Sequence, residues 1–304
     1  MRDTRDMLLV LLSSLLMLTG CSRRDILDDY PVSGVEISLD WNGVTNKLPE
    51  GVRVIFYPKN AEGRKIDTYL SVKGGKVKVP PGRYSVVVYN YDTETVQIRG
   101  EEAYETIEAF TGHCNGLGIA GTEQLVWGPD PLYVVRIDDL KIENSEEELQ
   151  LNWKPKLVVK TYSFKLKVQG LEYVSSIVGS IEGMSSCYDL GLGCGKAGDS
   201  PIYFAARGSA GEVTGSFTVF GTSEGVISRA GNAIKLTLAF VKTDNKVQKM
   251  EVDITEVIAN SESGGSGGDD DGDEPFKEIE LPVEDEVKVD KPDSSGCLLY
   301  TSDA

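Results

Sequence analysis

The residues that could do chemistry are few and poorly placed for it. His113 is the single histidine of the 304-residue chain, and Cys114 follows it directly. A histidine beside a cysteine can lower the thiol pKa and make a nucleophile. Neighbours along a strand point to opposite faces, so adjacency in sequence argues against contact. One histidine also removes multi-histidine zinc sites and leaves any Ser-His-Asp arrangement hanging on one residue. Gly191-Leu192-Gly193-Cys194-Gly195-Lys196 looks like a phosphate-cradling loop. Leu190, however, stands where the first glycine is required, and Ala197 replaces the magnesium-binding hydroxyl. Gly116-Leu117-Gly118-Ile119-Ala120-Gly121 spells G-x-G-x-x-G without a βαβ context. Asp269-Asp270-Asp271-Gly272-Asp273-Glu274 has the oxygens of a calcium loop, but the acids are contiguous and the glycine is misplaced. The pattern calls for no catalytic residue, no metal and no cofactor.

Two further sets of side chains remain. Cys187 and Cys194, seven apart across a glycine-rich stretch, would form a disulfide in an oxidising compartment. Two free buried thiols are the competing reading, and both stay open. Trp41, Tyr84, Tyr89, Tyr91 and Trp127 could line a sugar platform, because flat rings stack on pyranose faces. Most of them alternate with polar residues and read as core. Trp127, in the loop-like Trp127-Gly128-Pro129-Asp130-Pro131, is the one expected to face a ligand.

Lys plus Arg total 31 against 48 Asp plus Glu, a net charge of −17 that repels a phosphate backbone and argues against nucleic acid. Residues 261–293 alone carry 13 acidic and 3 basic side chains, more than half of that net charge. Hydrophobic residues make up 40% of the chain, enough for sizeable cores.

The elements that must position these residues begin after an address. Met7 to Leu18 is apolar apart from Ser13 and Ser14, and too short for a span that needs about 20 residues. It ends in Leu18-Thr19-Gly20-Cys21, the pattern of a lipobox. Residues 1–20 therefore read as a lipoprotein signal peptide, Cys21 as the lipidated residue and 21–29 as a tether. Several acyl chains, at about 0.8 kcal/mol per buried methylene, give stable membrane anchoring. At the other end, 261–274 reads as a Gly/Ser/Asp linker. Residues 275–296 read as a terminal strand segment cut short of its natural continuation. Residues 297–304, including Cys297, resemble a translated sequencing adapter.

Between the ends the pattern is β. Val35, Ile37, Leu39 and Trp41 alternate with polar residues, and the same period of two returns at Tyr84-Val86-Val88, Tyr162-Phe164-Leu166-Val168 and Ile234-Leu236-Leu238-Phe240. Turn residues punctuate these runs, and no convincing helical period appears. Many short strands at this spacing predict antiparallel β-sandwiches. The boundary near Lys154-Pro155-Lys156 gives two in tandem, 30–154 and 155–260. Trp41 and Tyr84 are predicted to be largely buried in the first, and Phe217 and Leu238 buried in the second.

Asp28-Asp29-Tyr30-Pro31, Val35 to Trp41, Pro80-Pro81-Gly82-Arg83-Tyr84, Tyr89 to Glu94 and Phe217-Thr218-Val219-Phe220-Gly221 resemble, with the lipobox, an uncharacterised family of Bacteroides-type lipoproteins. That family is similar to fimbrial anchor and accessory lipoproteins of the same bacteria. The resemblance implies two transthyretin-like sandwiches, a lipid at Cys21 and a non-enzymatic role at the outer membrane as a fimbrial anchor, accessory or adhesin subunit. The implied partner is a fimbrial subunit held by β-strand pairing. Ser22-Arg23-Arg24 places no acidic run after the lipid cysteine, which leaves the surface and periplasmic faces both open. The alternative function is a carbohydrate-binding lipoprotein of a glycan-uptake system, using exposed rings such as Trp127.

Overall fold

Val86, Val87, Val88 and Tyr89 are all buried, a run that a half-exposed strand does not produce. The computed structural model accounts for them by covering both faces of the strand. It describes residues 33–45, 47–60, 63–114, 124–145, 147–197, 200–221, 233–263, 279–281 and 286–292. The signal peptide, Cys21, the tether, most of the 261–274 linker, the Gly116–Gly121 stretch, the acidic Asp269–Glu274 run and residues 297–304 lie outside these.

The first half contributes β1 (Ser33–Leu39), β2 (Gly51–Pro58), β3 (Ile66–Ser71), β4 (Gly74–Val79), β5 (Gly82–Asn90), β6 (Val96–Arg99), β7 (Glu108–Thr111), β8 (Val126–Trp127), β9 (Tyr133–Ile142), β10 (Leu149–Trp153) and β11 (Lys156–Leu157). The second contributes β12 (Lys160–Gln169), β13 (Val174–Glu182), β14 (Ser185–Asp189), β15 (Cys194–Ala197), β16 (Ile202–Ser209), β17 (Glu212–Val219), β18 (Lys235–Lys242), β19 (Val247–Asp253), α1 (Thr255–Ser263), β20 (Ile279–Leu281) and β21 (Glu286–Lys288).

Eight strands form one sheet in the order β10-β1-β4-β3-β2-β5-β9-β11. It curls around a core of Val35, Ile37, Val54, Phe56, Tyr84, Val86 and Trp153. A second sheet runs β19-β18-β13-β16-β17-β12-β20, with β21 also beside β12 and β8 beside β16. Its core holds Tyr162, Phe164, Phe204, Phe217, Leu238 and Phe240. Burial of such side chains, at about 25 cal/mol per Å² of apolar surface, is the main favourable term. The architecture is nearly all β, in sandwich-like layers, as the alternation predicts.

A third sheet, in the order β15-β14-β7-β6, takes two strands from each half. It covers the outer face of β2 and β5, where Ile55, Tyr57, Val87 and Tyr89 meet Ile107, Leu190 and Phe220. Strands buried on both faces read as continuous apolar runs, which explains Val86 to Tyr89. β11, beyond the expected boundary at 154/155, still pairs with β9 in the first sheet.

One expectation needs correction. The second half contains a helix, α1, where no helical period was read. Asp253 Oδ1 accepts from the Thr255 amide at 2.9 Å and holds its start, while Ile258 is fully buried against the second core. Trp41 packs partly buried against the first core. Its Nε1 donates to the Val72 carbonyl at 2.6 Å, and its ring meets Tyr133 edge-on at 5.3 Å. Tyr84, Phe217 and Leu238 are buried as predicted.

Candidate assembly and binding sites

The most charged interior point sits on the third sheet. Glu108 and Asp189 are direct cross-strand partners on β7 and β14, and both are buried. Two carboxylates opposed in this way repel unless a cation lies between them. Lys196 on β15 supplies it, 2.8 Å from Asp189 and 2.9 Å from Glu108, and Arg99 on β6 pairs with Glu108 as well. Burial pushes the Glu108 carboxyl up, but the bonds from Lys196 and Arg99 outweigh it and hold the group below the usual carboxylate range. The loop that resembles a phosphate cradle is thus the turn of the β14–β15 hairpin, and its lysine is tied to two acids. A cleft of about 330 Å³ beside it is lined by Arg99, Glu108, His113, Cys187 and Lys196.

Neither Cys114 nor Cys187 is activated. Burial pushes the Cys114 thiol up to about 11, so it stays protonated at neutral pH. His113 is exposed and bridges Val126 instead. Burial, then the nearby Glu108, raises the Cys187 thiol too. Cys187 and Cys194 are free thiols. Cys187 pairs with Lys196 and Cys194 with Asp189, so the two cysteines are diagonal neighbours. That separation is about 7–8 Å in a ladder, beyond the usual cystine Cα span of about 4.4–6.8 Å.

Trp127 lies on β8, exposed as expected, with its ring edge-on to Tyr203 at 5.4 Å. Tyr69 was not singled out in the sequence, yet it is the most exposed aromatic ring among the described residues and meets Tyr91 at 5.3 Å. Cross-strand register, which local pattern does not carry, would have been needed to find this pair.

The terminal segment is docked. β20 and β21 run parallel to β12, with Tyr162 beside Ile279 and Val168 beside Val287. Leu281 and Val289 are buried in the second core. Gln248 on β19, at the other margin of the same sheet, donates to the Lys288 carbonyl at 2.9 Å and accepts from the Asp290 amide at 3.0 Å. One side chain therefore stitches the two margins together. β6, β10, β11 and β15 lie at the ends of their sheets, where an edge strand can receive a further strand. Among the described residues no helix is long and apolar enough to cross a membrane.

Residues 20–205 match the family model described as a domain of unknown function, DUF5119. The chain belongs to that family. This DUF5119 protein is 60% identical, over 97% of its length and 92% of the relative's, to a Bacteroides ovatus protein provisionally assigned as a fimbrium anchoring subunit, Fim4B. Among solved structures it is similar to a Bacteroides ovatus protein provisionally described as an adhesin, with 57% identity and a TM-score of 0.76, covering 90% of this chain and 98% of that one. The fimbrial anchor protein Mfa2 from Porphyromonas gingivalis shares the fold at 12% identity, with a TM-score of 0.50 over 75% of this chain and 84% of that one.

Proposed function

We propose that this protein is a non-enzymatic, lipid-anchored subunit that holds a fimbrium to the outer membrane of the cell envelope. The observation that carries the reading is the 60% identity, along almost the whole chain, to the relative assigned as a fimbrium anchoring subunit. The lipobox gives the membrane attachment, with Cys21 as the acylated residue at the head of a tether over 21–29. The partner is a fimbrial subunit, received by strand pairing at an open sheet margin, where main-chain bonds give affinity and alternate side chains give specificity. The raised thiols at Cys114 and Cys187 and the tied lysine at Lys196 fit a structural role for the residues that most resemble catalytic ones.

The test is deletion of the gene in the native bacterium, followed by electron microscopy and fractionation. Fimbriae should be shed into the medium, and the Cys21→Ser gene should fail to restore attachment. Fimbriae that remain fixed to cells lacking the protein would rule the reading out.

A further inference from the structure

We propose that the outer face of the first sheet around Tyr69 and Tyr91 binds a neutral oligosaccharide. This site is separate from Trp127 and does not depend on the fimbrial reading.

Arg53 on β2 is paired in register with Tyr69 on β3 and Tyr89 on β5. Its guanidinium lies 5.6 Å from the centroid of the Tyr69 ring and 5.9 Å from that of Tyr89. Nε and one terminal nitrogen donate to the two oxygens of Asp67, at 2.9 and 2.7 Å. The other terminal nitrogen donates to the Tyr89 hydroxyl at 2.8 Å and to Glu101, and the Asp67-bound nitrogen also reaches Glu101 at 3.1 Å. All five N–H groups are used. Arg53 therefore has no donor left for a ligand, and its effect is to fix the Tyr69 ring from beneath.

Tyr91 is fixed by a different device. A side-chain carbon on Gly51 would stand 2.7 Å from the Leu70 carbonyl, 2.8 Å from the Tyr91 hydroxyl and 3.0 Å from its ring. The glycine leaves the slot in which the ring rests over the sheet. The two rings then meet at 77°, forming a corner, and remain 61% and 45% exposed.

Tyr69 on β3 and Tyr91 just past β5 are separated by β2, so no ladder pairing brings them together, and a saturated arginine lies beneath the exposed rings. Rings held rigid and left open are preorganised, so a ligand that stacks on them loses little conformational entropy on their side. Asp67 and Glu101 both bind the single Arg53 guanidinium, which leaves a net negative charge beneath the rings that disfavours uronic acids, sulfates and phosphates. The carboxylate oxygens suit the hydroxyl donors of a sugar, while the rings suit its C–H face. A protein partner would need about 800 Å² of this side, with an apolar centre, and this corner offers two rings.

The test is affinity electrophoresis of the mature chain in gels carrying yeast mannan, starch, xylan or mixed-linkage β-glucan. At least one should retard it. Tyr69→Ala and Tyr91→Ala should each weaken retention by roughly tenfold, on the order expected for one lost ring contact. Tyr69→Phe, which keeps the ring face, should retain it, and so should Trp127→Ala. Thermal melts of the alanine variants confirm that they are folded. Retardation by none of the polysaccharides overturns the proposal, as does retention that survives the double alanine change. Loss of fimbrial attachment in that double variant, without any sugar retention, would make the corner a protein contact instead.

Discussion

Phe204 rests against the bare backbone of Gly179, its direct partner on the neighbouring strand: a methyl at that glycine would stand 2.0 Å from the ring. Phe164 sits over Gly215 in the same way, at 2.5 Å, and the two phenylalanines meet edge-on at 5.6 Å. The second core is therefore built from rings that fill positions where side chains are missing. Gly179→Ala should destabilise the protein by about 1–3 kcal/mol through overpacking. Adding Phe204→Leu should return part of the loss, which urea unfolding of the single and double variants would measure.

The Glu108 carboxyl is held below its ordinary range in the folded state. Its contribution is present at neutral pH and is lost as the pH falls below about 4.3, the ordinary value for a glutamate. Glu108→Gln should cost about 1–2 kcal/mol at pH 7, kept small by the exposure of Lys196 and Arg99. The variant should also lose less stability than the parent between pH 7 and about pH 3, which brackets the range in which the carboxylate is protonated. Unfolding curves at the two pH values check this, and an equal acid loss in both proteins would show that Glu108 is not the group responsible.

Docking of the terminal strand rests on Leu281, Val289 and the Gln248 stitch. Leu281→Ala should cost about 2–5 kcal/mol. Gln248→Ala should cost less, about 0.5–1.5 kcal/mol, and act locally. The Asp290 amide loses its acceptor, and the Val289 amide, which donates to the Gln169 carbonyl at 2.9 Å, should exchange faster. Hydrogen exchange resolved to residues 286–292 would detect the change, with β12 keeping its protection.

Cys21→Ser should leave the fold intact and move the protein from the detergent phase to the aqueous phase of a Triton X-114 separation. Unchanged partitioning would remove the lipid from the anchoring proposal.

Much of the architecture was legible because a half-buried strand writes its face into its sequence. Ile234, Leu236, Leu238 and Phe240 alternate, and all four are buried. The docking of 279–281 and 286–289 follows from the same alternation. The rest depended on which strand lies beside which. Nothing near Phe110 announces that Cys187 is its partner. The diagonal offset of Cys187 and Cys194, the opposition of Glu108 to Asp189 and the Arg53 network all come from such pairings. Helix α1 escaped because it is short: Ile254, Val257 and Ile258 keep the i, i+3, i+4 spacing of a helical face, but for barely one turn. Its stability comes from its cap and from packing beside β20.

The shared third sheet also sets an order of events. Ile55, Tyr57, Val87 and Tyr89 are covered in part by Leu190 and Phe220, which arrive more than a hundred residues later in the chain. A chain made from its N-terminus carries that surface incompletely covered until β14 and the end of β17 exist. Contacts so distant in sequence raise contact order and slow folding, and the uncovered surface is open to association meanwhile. Neither half can finish alone, so heating the protein should melt both in a single cooperative transition.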